Sequence, residues 1–262
     1  MTKANPGTVY LVGAGPGDPE LLTVRAASLL FTADLVLHDD LVPRPILDLA
    51  GPSTTVVSVG KRCGKKRITQ ARINDHMIEF ARLGFAVVRL KSGDPAIFGR
   101  LGEELDALRK AEVPFEVVPG VSAGFAAAAS LGLSLTDRRS NSRVVILSGH
   151  HAQVGLFGDP DGFHEKSTLV IYMPGPDLRK LRTQLLDTGL DPATPCILVS
   201  RATTPDEKAV RSSLEDLHLA ATMESPSILL VGIPETAGTR ESVRPDLGKG
   251  STWNEFSVQV TS

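Results

Sequence analysis

The stretch that decides the fold is "VYLVGAGPGDPELLTVRA", residues 9–26. Apolar, β-prone residues run into a glycine-rich turn, and a helix-like pattern follows, with Asp18 placed as its N-cap and Pro19 in its first turn. A dinucleotide-binding G-x-G-x-x-G that begins at Gly13 would need its third small residue at position 18, which is Asp18. The sequence therefore predicts a strand-to-helix turn that holds something other than a pyrophosphate.

The alternation of strand and helix continues through most of the chain. Helices are predicted in "TQARINDHMIEFARLG" and "GRLGEELDALRKAE", and strands are predicted before, between and after them in "DLVLHD", "TTVVSVG", "FAVVRLK" and "FEVVPG". Four later strands are predicted in "SRVVILSGH", "STLVIYMPG", "TPCILVSRATT" and "SPSILLVGI". This rhythm indicates an α/β fold of two lobes with parallel or mixed sheets. The expected division is an N-terminal α/β lobe (1–120), an inter-lobe segment (121–138), a C-terminal α/β lobe (139–238) and an irregular tail (239–262).

Composition narrows the class of protein. The 262 residues are 42% hydrophobic and 22% charged, which is typical of a globular protein. The net charge of −2 gives no overall positive potential that would attract nucleic acid or an anionic membrane. Cys63 and Cys196 are too few and too far apart for a disulfide framework or a zinc site, so we expect no metal and a reducing compartment. No signal-peptide pattern opens the chain, and the uncharged residues 117–136 are rich in Ala and Gly, so a cytoplasmic protein is expected.

Three glycine turns follow predicted strands, at residues 13–19, 91–95 and 119–124. Ligands of open α/β sheets bind beyond the carboxyl ends of the strands, so a shared small-molecule site is favoured over three unrelated turns. Residues 61–72, "KRCGKKRITQAR", are basic without any acid, which suits a ligand with several carboxylates or phosphates unless the stretch is only a solvated loop. In "LHDDLV", residues 37–42, at most one of the two aspartates is expected to face a cleft.

Taken together, these stretches resemble the tetrapyrrole methylases, the class III S-adenosylmethionine-dependent methyltransferases. The likeness covers about residues 8–235, and within the family it is greatest to the members that methylate uroporphyrinogen III. The matching stretches, in order, are "VYLVGAGPGDPELLT", "ADLVLHDDLV", "VGKRCGKKRITQARIN", "VVRLKSGDPAIFGR", "FEVVPGVSAGFAA" and "TLVIYMPG". Departures from the family pattern fall at Leu101, Asp137, Pro174 and Ala202.

The resemblance implies an active site in the cleft between two lobes, where S-adenosylmethionine methylates uroporphyrinogen III at C2 and C7 to give precorrin-2, for the siroheme or cobalamin branch. It implies a cofactor site of Pro16, Ser92, Gly93, Asp94, Ile97, Ser122, Ala123, Met173 and Ala202. Asp39 and Lys61 match the family's acid–base pair. Further candidates for binding the eight substrate carboxylates are Arg62, Arg67, Arg100 and Arg138. A homodimer is expected from the family, with no nucleic-acid or membrane partner.

Three alternatives stay open on the sequence. A methylase of a later precorrin intermediate would share the same turns. A dinucleotide-dependent oxidoreductase would use the first turn with Asp34 or Asp39 as its ribose partner, against the mismatch at Asp18. A nonenzymatic anion or nucleic-acid binder would use residues 61–72 and would show a steep salt dependence.

Overall fold

The computed structural model describes residues 3–60, 68–149, 167–220 and 223–233. These residues form two five-stranded sheets with helices packed against them. The predicted α/β class with two lobes is confirmed. The predicted tail, 239–262, lies outside the described residues.

The first sheet is built from the first 118 residues of the chain. Its elements are β1 (Val9–Gly13), α1 (Val24–Thr32), β2 (Leu35–His38), α2 (Arg44–Leu47), β3 (Thr55–Ser58), α3 (Gln70–Arg82), β4 (Val87–Lys91), α4 (Leu101–Lys110) and β5 (Phe115–Val118). The strand order is β3-β2-β4-β1-β5, and every neighbouring pair is parallel. Because the strands are parallel, the turns that follow β2, β4, β1 and β5 all emerge at one edge of the sheet.

Helices cover both faces of this sheet, which is why its central strands β1 and β4 are buried along their whole length. On one face, α1 packs Leu29 and Leu30 against Val12 and Val88. On the other face, α3 and α4 pack against the side chains that point the opposite way. Because successive side chains of a strand point to opposite faces of the sheet, each central strand contributes side chains to two separate cores.

The second sheet follows a helix that joins the lobes. Its elements are α5 (Ala123–Ser130), β6 (Arg143–Ser148), β7 (Ser167–Tyr172), α6 (Leu178–Asp187), β8 (Pro195–Ser200), β9 (Lys208–Ser213) and β10 (Ser227–Val231). The order is β6-β7-β10-β8-β9, with only β6 and β7 parallel. In this arrangement, the carboxyl ends of β7 and β8 share one edge with the start of β10.

The second lobe also has two cores. Leu181 and Leu185 of α6 pack on one face, and Ala127 and Ala128 of α5 pack on the other. The small side chains of α5 let it lie close to the sheet. Strand β9 was missed by the sequence analysis because its residues, "KAVRSS", are mostly polar and exposed at the sheet edge.

The helix predicted directly after the first turn is divided in two, so that prediction was wrong in detail. Asp18 caps a short 3-10 helix, Pro19–Leu21, by accepting from the Glu20 N–H at 2.9 Å. Leu22 is then extended, and Thr23 caps α1 by accepting from the Ala26 N–H at 3.1 Å. Two capping side chains five residues apart allow two helical starts in place of one.

Candidate active site

The edge where the parallel strands end is packed backbone against backbone. A Cβ on Gly13 would lie 2.6 Å from the Cα of Gly120 and 2.7 Å from the carbonyl oxygen of Gly93. A Cβ on Gly120 would lie 2.3 Å from the same oxygen. Since these neighbours are backbone atoms that no rotamer change can move, the turns meet only if residues 13 and 120 are glycine. Gly93 is favoured for a different reason, because its φ is 69°.

The first turn also reaches across to the second lobe. Gly15 and Gly93 exchange backbone hydrogen bonds, with N–H to oxygen distances of 3.1 and 2.7 Å. Gly17 has φ of 146°, and a Cβ there would come within 2.7 Å of the Thr204 methyl group beyond β8. The glycine turn is therefore a bridge between two turns of the first lobe and one of the second.

A cleft of about 610 Å³ lies where the two lobes meet. Every residue in the predicted cofactor set lines it: Pro16, Ser92, Gly93, Asp94, Ile97, Ser122, Ala123, Met173 and Ala202. Asp39 lines the same cleft. The structure thus brings together residues more than 180 positions apart in the chain, while their role as ligand contacts stays a prediction.

Asp94 braces the cleft wall. One carboxylate oxygen accepts from the Ala96 N–H at 2.8 Å, which closes the turn after β4. The other accepts from the Gly120 N–H at 3.0 Å, which ties that turn to the one after β5. Because both oxygens hold backbone groups, Asp94 shapes the site for a ligand by fixing two turns.

The cleft is also fastened across the lobes by Tyr172, a residue that the sequence analysis did not select. Its hydroxyl lies 2.5 Å from the Ser122 Oγ and accepts from the Gly124 N–H at 2.9 Å. A Cβ on Gly124 would lie 2.9 Å from that hydroxyl, so glycine is what admits it. The tyrosine at the end of β7 therefore sets the start of α5 against the second sheet.

Asp39 lies just beyond β2 and is the aspartate of the pair that faces the cleft. Its Oδ1 accepts a short hydrogen bond from Arg89, and its side chain is 34% exposed. The neighbouring Asp40 is directed elsewhere and accepts from the Ser58 hydroxyl at 3.3 Å. The expectation that at most one of the two faces the cleft agrees with this arrangement.

A buried charge network lies behind Asp39. Arg89 and Lys91 alternate along β4 on the face that α4 covers, and Glu104 of α4 receives Arg89 Nε at 3.0 Å and Lys91 Nζ at 3.1 Å. Glu104 also accepts from the Gln70 amide at 3.1 Å and is completely buried. Two cations balance two carboxylates here, which is what allows four charged groups to stand next to an apolar core.

Lys91 connects this network to the cleft, because it lines the cleft and is only 2% exposed. Burial, and then the positive charge of Arg89, lower the pKa of Lys91, while Glu104 opposes the shift. The sequence did contain a signal for this network, since cations at alternate positions of a buried strand require a buried carboxylate partner.

Of the predicted substrate residues, the structure describes Arg100 and Arg138, and neither is among the residues that line the cleft. Arg100 follows the cleft residue Gly99 but is exposed and held by Glu103 through two contacts of 2.7 Å. Arg138 is exposed and is not among the described residues that line the cleft. Three predicted residues, Lys61, Arg62 and Arg67, lie outside the described residues.

Asp137, one of the departures from the family pattern, forms a local ion pair. Its carboxylate accepts from the Arg139 side chain at 2.7 and 3.0 Å and from the Arg139 N–H at 2.8 Å. These side-chain and backbone hydrogen bonds lower the pKa of Asp137 to about 2. The carboxylate is therefore paired within its own turn.

No helix within residues 3–60, 68–149, 167–220 and 223–233 is long and apolar enough to cross a membrane.

Comparison with known proteins agrees with the fold and the cleft. Residues 8–218 match the family of tetrapyrrole (corrin/porphyrin) methylases. An S-adenosyl-L-methionine-dependent uroporphyrinogen III methyltransferase of Arabidopsis thaliana is 41% identical over 233 residues, which are 87% of this chain and 63% of that protein. The chain thus spans less than two thirds of that curated relative.

Solved structures give the same result. Uroporphyrin-III C-methyltransferase from Thermus thermophilus, complexed with S-adenosylhomocysteine, has a TM-score of 0.72 at 40% identity, over 86% of this chain and 97% of that one. A cobalt precorrin-4 methyltransferase has a TM-score of 0.76 at 31% identity, over 86% of this chain and 95% of that one. With most of its length matched by the family and by these relatives, the chain belongs to the tetrapyrrole methylases.

Proposed function

We propose that this protein transfers methyl groups from S-adenosylmethionine to C2 and C7 of uroporphyrinogen III, giving precorrin-2. The observation that carries the proposal is the convergence of the whole predicted cofactor set, from both lobes, on one cleft beside Asp39. Its support beyond this chain comes from the relatives that are named for this reaction.

The cleft suits the cofactor by size and chemistry. A volume of about 610 Å³ lies within the usual range for a small-molecule site. S-adenosylmethionine has no pyrophosphate, so it needs main-chain hydrogen bonds and apolar packing, and the turn Ser92–Asp94 offers the first while Ile97, Met173 and Ala202 offer the second. When bound, the cofactor supplies an electrophilic methyl group.

In this proposal, Asp39 interacts with the pyrrole ring that is methylated. The reduced substrate attacks through an electron-rich pyrrole carbon: a carbon–carbon bond forms, the carbon–sulfur bond breaks, and S-adenosylhomocysteine leaves. The ring is then cationic and must lose a proton. Asp39, held by the buried Arg89, is proposed to face this ring, where its carboxylate stabilises the positive charge and accepts a pyrrole N–H or its proton.

Most of the rate enhancement is assigned to the walls of the cleft. Turns fixed by Asp94 and Tyr172 hold the two reactants in line, and such positioning lowers a barrier by up to about 7–11 kcal/mol. One acid–base group contributes about 10²–10⁴-fold. Lys61 is proposed as the acid–base partner of Asp39, and Arg62, Arg67, Arg100 and Arg138 are proposed to bind the substrate carboxylates.

The test is anaerobic incubation of the protein with uroporphyrinogen III and S-adenosylmethionine, followed by mass spectrometry. One and then two added methyl groups are expected. Asp39→Asn should lower kcat/KM by about 10²–10³-fold with unchanged S-adenosylhomocysteine affinity, whereas the matched control Asp40→Asn should stay near wild type.

Other outcomes separate the alternatives. Cofactor binding without methylation of uroporphyrinogen III would favour a later precorrin substrate, which the likeness to the cobalt precorrin-4 methyltransferase supports as the second candidate. Absence of cofactor binding would overturn the methylase proposal. A homodimer is likewise proposed from the family, and light scattering of the purified protein tests it.

A further inference from the structure

The segment that follows the cofactor turn carries an unusual residue, Phe98. Its side chain is 45% exposed and lines the cleft, although a phenylalanine is normally buried. Its backbone is left-handed, with φ of 52°, a region that side chains other than glycine, asparagine and aspartate seldom adopt. One residue thus combines an exposed aromatic ring with a strained backbone, and strain of this kind clusters at functional sites.

The surroundings hold Phe98 in this position. A Cβ on the next residue, Gly99, would lie 2.6 Å from the Pro95 carbonyl oxygen and 3.1 Å from Lys91 Cε, so the segment is pressed closely onto the turn below it. Arg100 is also left-handed, at φ of 56°, and is anchored by Glu103. The loop that carries the Phe98 ring is therefore held by close backbone packing at Gly99 and by the ion pair of Arg100 with Glu103.

The ring of Phe98 packs against Tyr172. The two ring centroids are 5.3 Å apart with planes tilted by 59°, a favourable aromatic geometry. Tyr172 is itself fixed by its hydrogen bonds with Ser122 and Gly124, so it backs the phenylalanine from the second lobe. Together they form a rigid aromatic wall that spans the two lobes.

The exposed side of this wall faces the same cleft as Asp39. Leu41, two residues beyond that aspartate, also lines the cleft and is 55% exposed. Exposed apolar surface within a cleft fits a ligand with a flat apolar face. The predicted cofactor residues next to Phe98 include the turn Ser92–Asp94, which offers polar backbone groups to the cofactor. The apolar ring of Phe98 is therefore better suited to the substrate than to the cofactor.

We propose that Phe98 is a substrate-positioning residue, whose ring packs against a pyrrole ring of the bound tetrapyrrole and sets the distance between that ring and the methyl donor. The proposal rests on the proposed function, because it assumes a tetrapyrrole in this cleft. It adds an apolar contact to the charged contacts proposed above for the substrate carboxylates.

The experiment compares Phe98→Ala with the conservative Phe98→Tyr and with a matched control, Phe31→Ala, an exposed phenylalanine on α1. Two readouts are used: KM and kcat for uroporphyrinogen III, and direct binding of oxidised uroporphyrin III, followed by its fluorescence. Phe98→Ala should raise both the KM for uroporphyrinogen III and the dissociation constant of uroporphyrin III roughly tenfold. Phe98→Tyr should keep both constants near their wild-type values, and Phe31→Ala should change neither constant.

Each result has a distinct meaning. Unchanged uroporphyrin binding in Phe98→Ala overturns the proposal, and so does a loss of S-adenosylhomocysteine affinity in calorimetry, which would assign the ring to the cofactor or to the fold. If wild-type protein binds uroporphyrin III but does not methylate uroporphyrinogen III, the proposed function fails, while the binding arm still decides the role of Phe98. If wild type binds no tetrapyrrole, both proposals fail.

Discussion

The buried carboxylate of Glu104 provides the sharpest test of how the cleft is built. Glu104→Gln keeps the size of the side chain and removes its charge, leaving the buried Arg89 and Lys91 with only the partly exposed Asp39 as an anion. Hydrogen bonds to charged groups contribute about 1.5–3 kcal/mol each, and Glu104 accepts two of them from cations.

The expected loss of stability is therefore about 3–5 kcal/mol, as for other buried ion pairs that lose one partner. For a protein of this size, each kcal/mol corresponds to roughly 2–4 °C in the unfolding temperature. Urea and thermal unfolding measure the loss. Lys91 deprotonates more easily without its partner, so the loss should be smaller at pH 10 than at pH 7.

The matched control is Glu103→Gln on the same helix. Glu103 is 53% exposed and pairs with the exposed Arg100, so its change should cost far less stability than the change at Glu104. A Glu104→Gln protein as stable as the Glu103→Gln protein would refute the reasoning, because the buried network would then contribute nothing that an exposed ion pair does not.

Three further predictions concern the cleft walls. Gly120→Ala should destabilise the protein by about 3 kcal/mol and abolish S-adenosylhomocysteine binding, because its Cβ would lie 2.3 Å from the Gly93 carbonyl oxygen. Gly102→Ala lies in the first turn of α4 with nothing within 4 Å of the added Cβ, so it should leave the stability unchanged or raise it by less than about 1 kcal/mol; equal unfolding temperatures for the two variants would contradict this. Asp94→Ala should weaken S-adenosylhomocysteine binding about tenfold in calorimetry, since two turns lose the carboxylate that joins them, and an unchanged affinity would remove this brace from the site. The pKa of Lys91 is lowered in the folded protein, so between that pKa and 10.5 the folded protein binds fewer protons than the unfolded chain. The free energy of unfolding of the wild type, relative to that of Lys91→Met, should therefore rise with pH in that window. A difference that does not change with pH would show that the lysine titrates normally.

Much of the site was predictable from residue order because its parts are local. Strand-turn-helix patterns located the glycine turns, and an ordered set of such turns identified the family. The edge position of the cleft followed from the parallel sheet, since turns after adjacent parallel strands must meet. Asp39 was expected as a candidate because it matches the acid–base aspartate of the family.

The buried network and the aromatic wall could not be predicted with the same ease. Glu104 meets Arg89 only because α4 crosses back over β4, and Tyr172 meets Ser122 only because two lobes close on each other. Strand β9 was missed because an edge strand with polar side chains lacks the apolar alternation on which the prediction depends.

The sequence by itself determined most strands of the two sheets, the glycine turns and the family, because each depends on residues that are neighbours in the chain. Tertiary structure alone decided which carboxylate balances the buried cations, and why Gly13 and Gly120 must both be glycine. These are contacts between distant segments, fixed by strand order and helix packing, and no local pattern contains the geometry that brings the segments together.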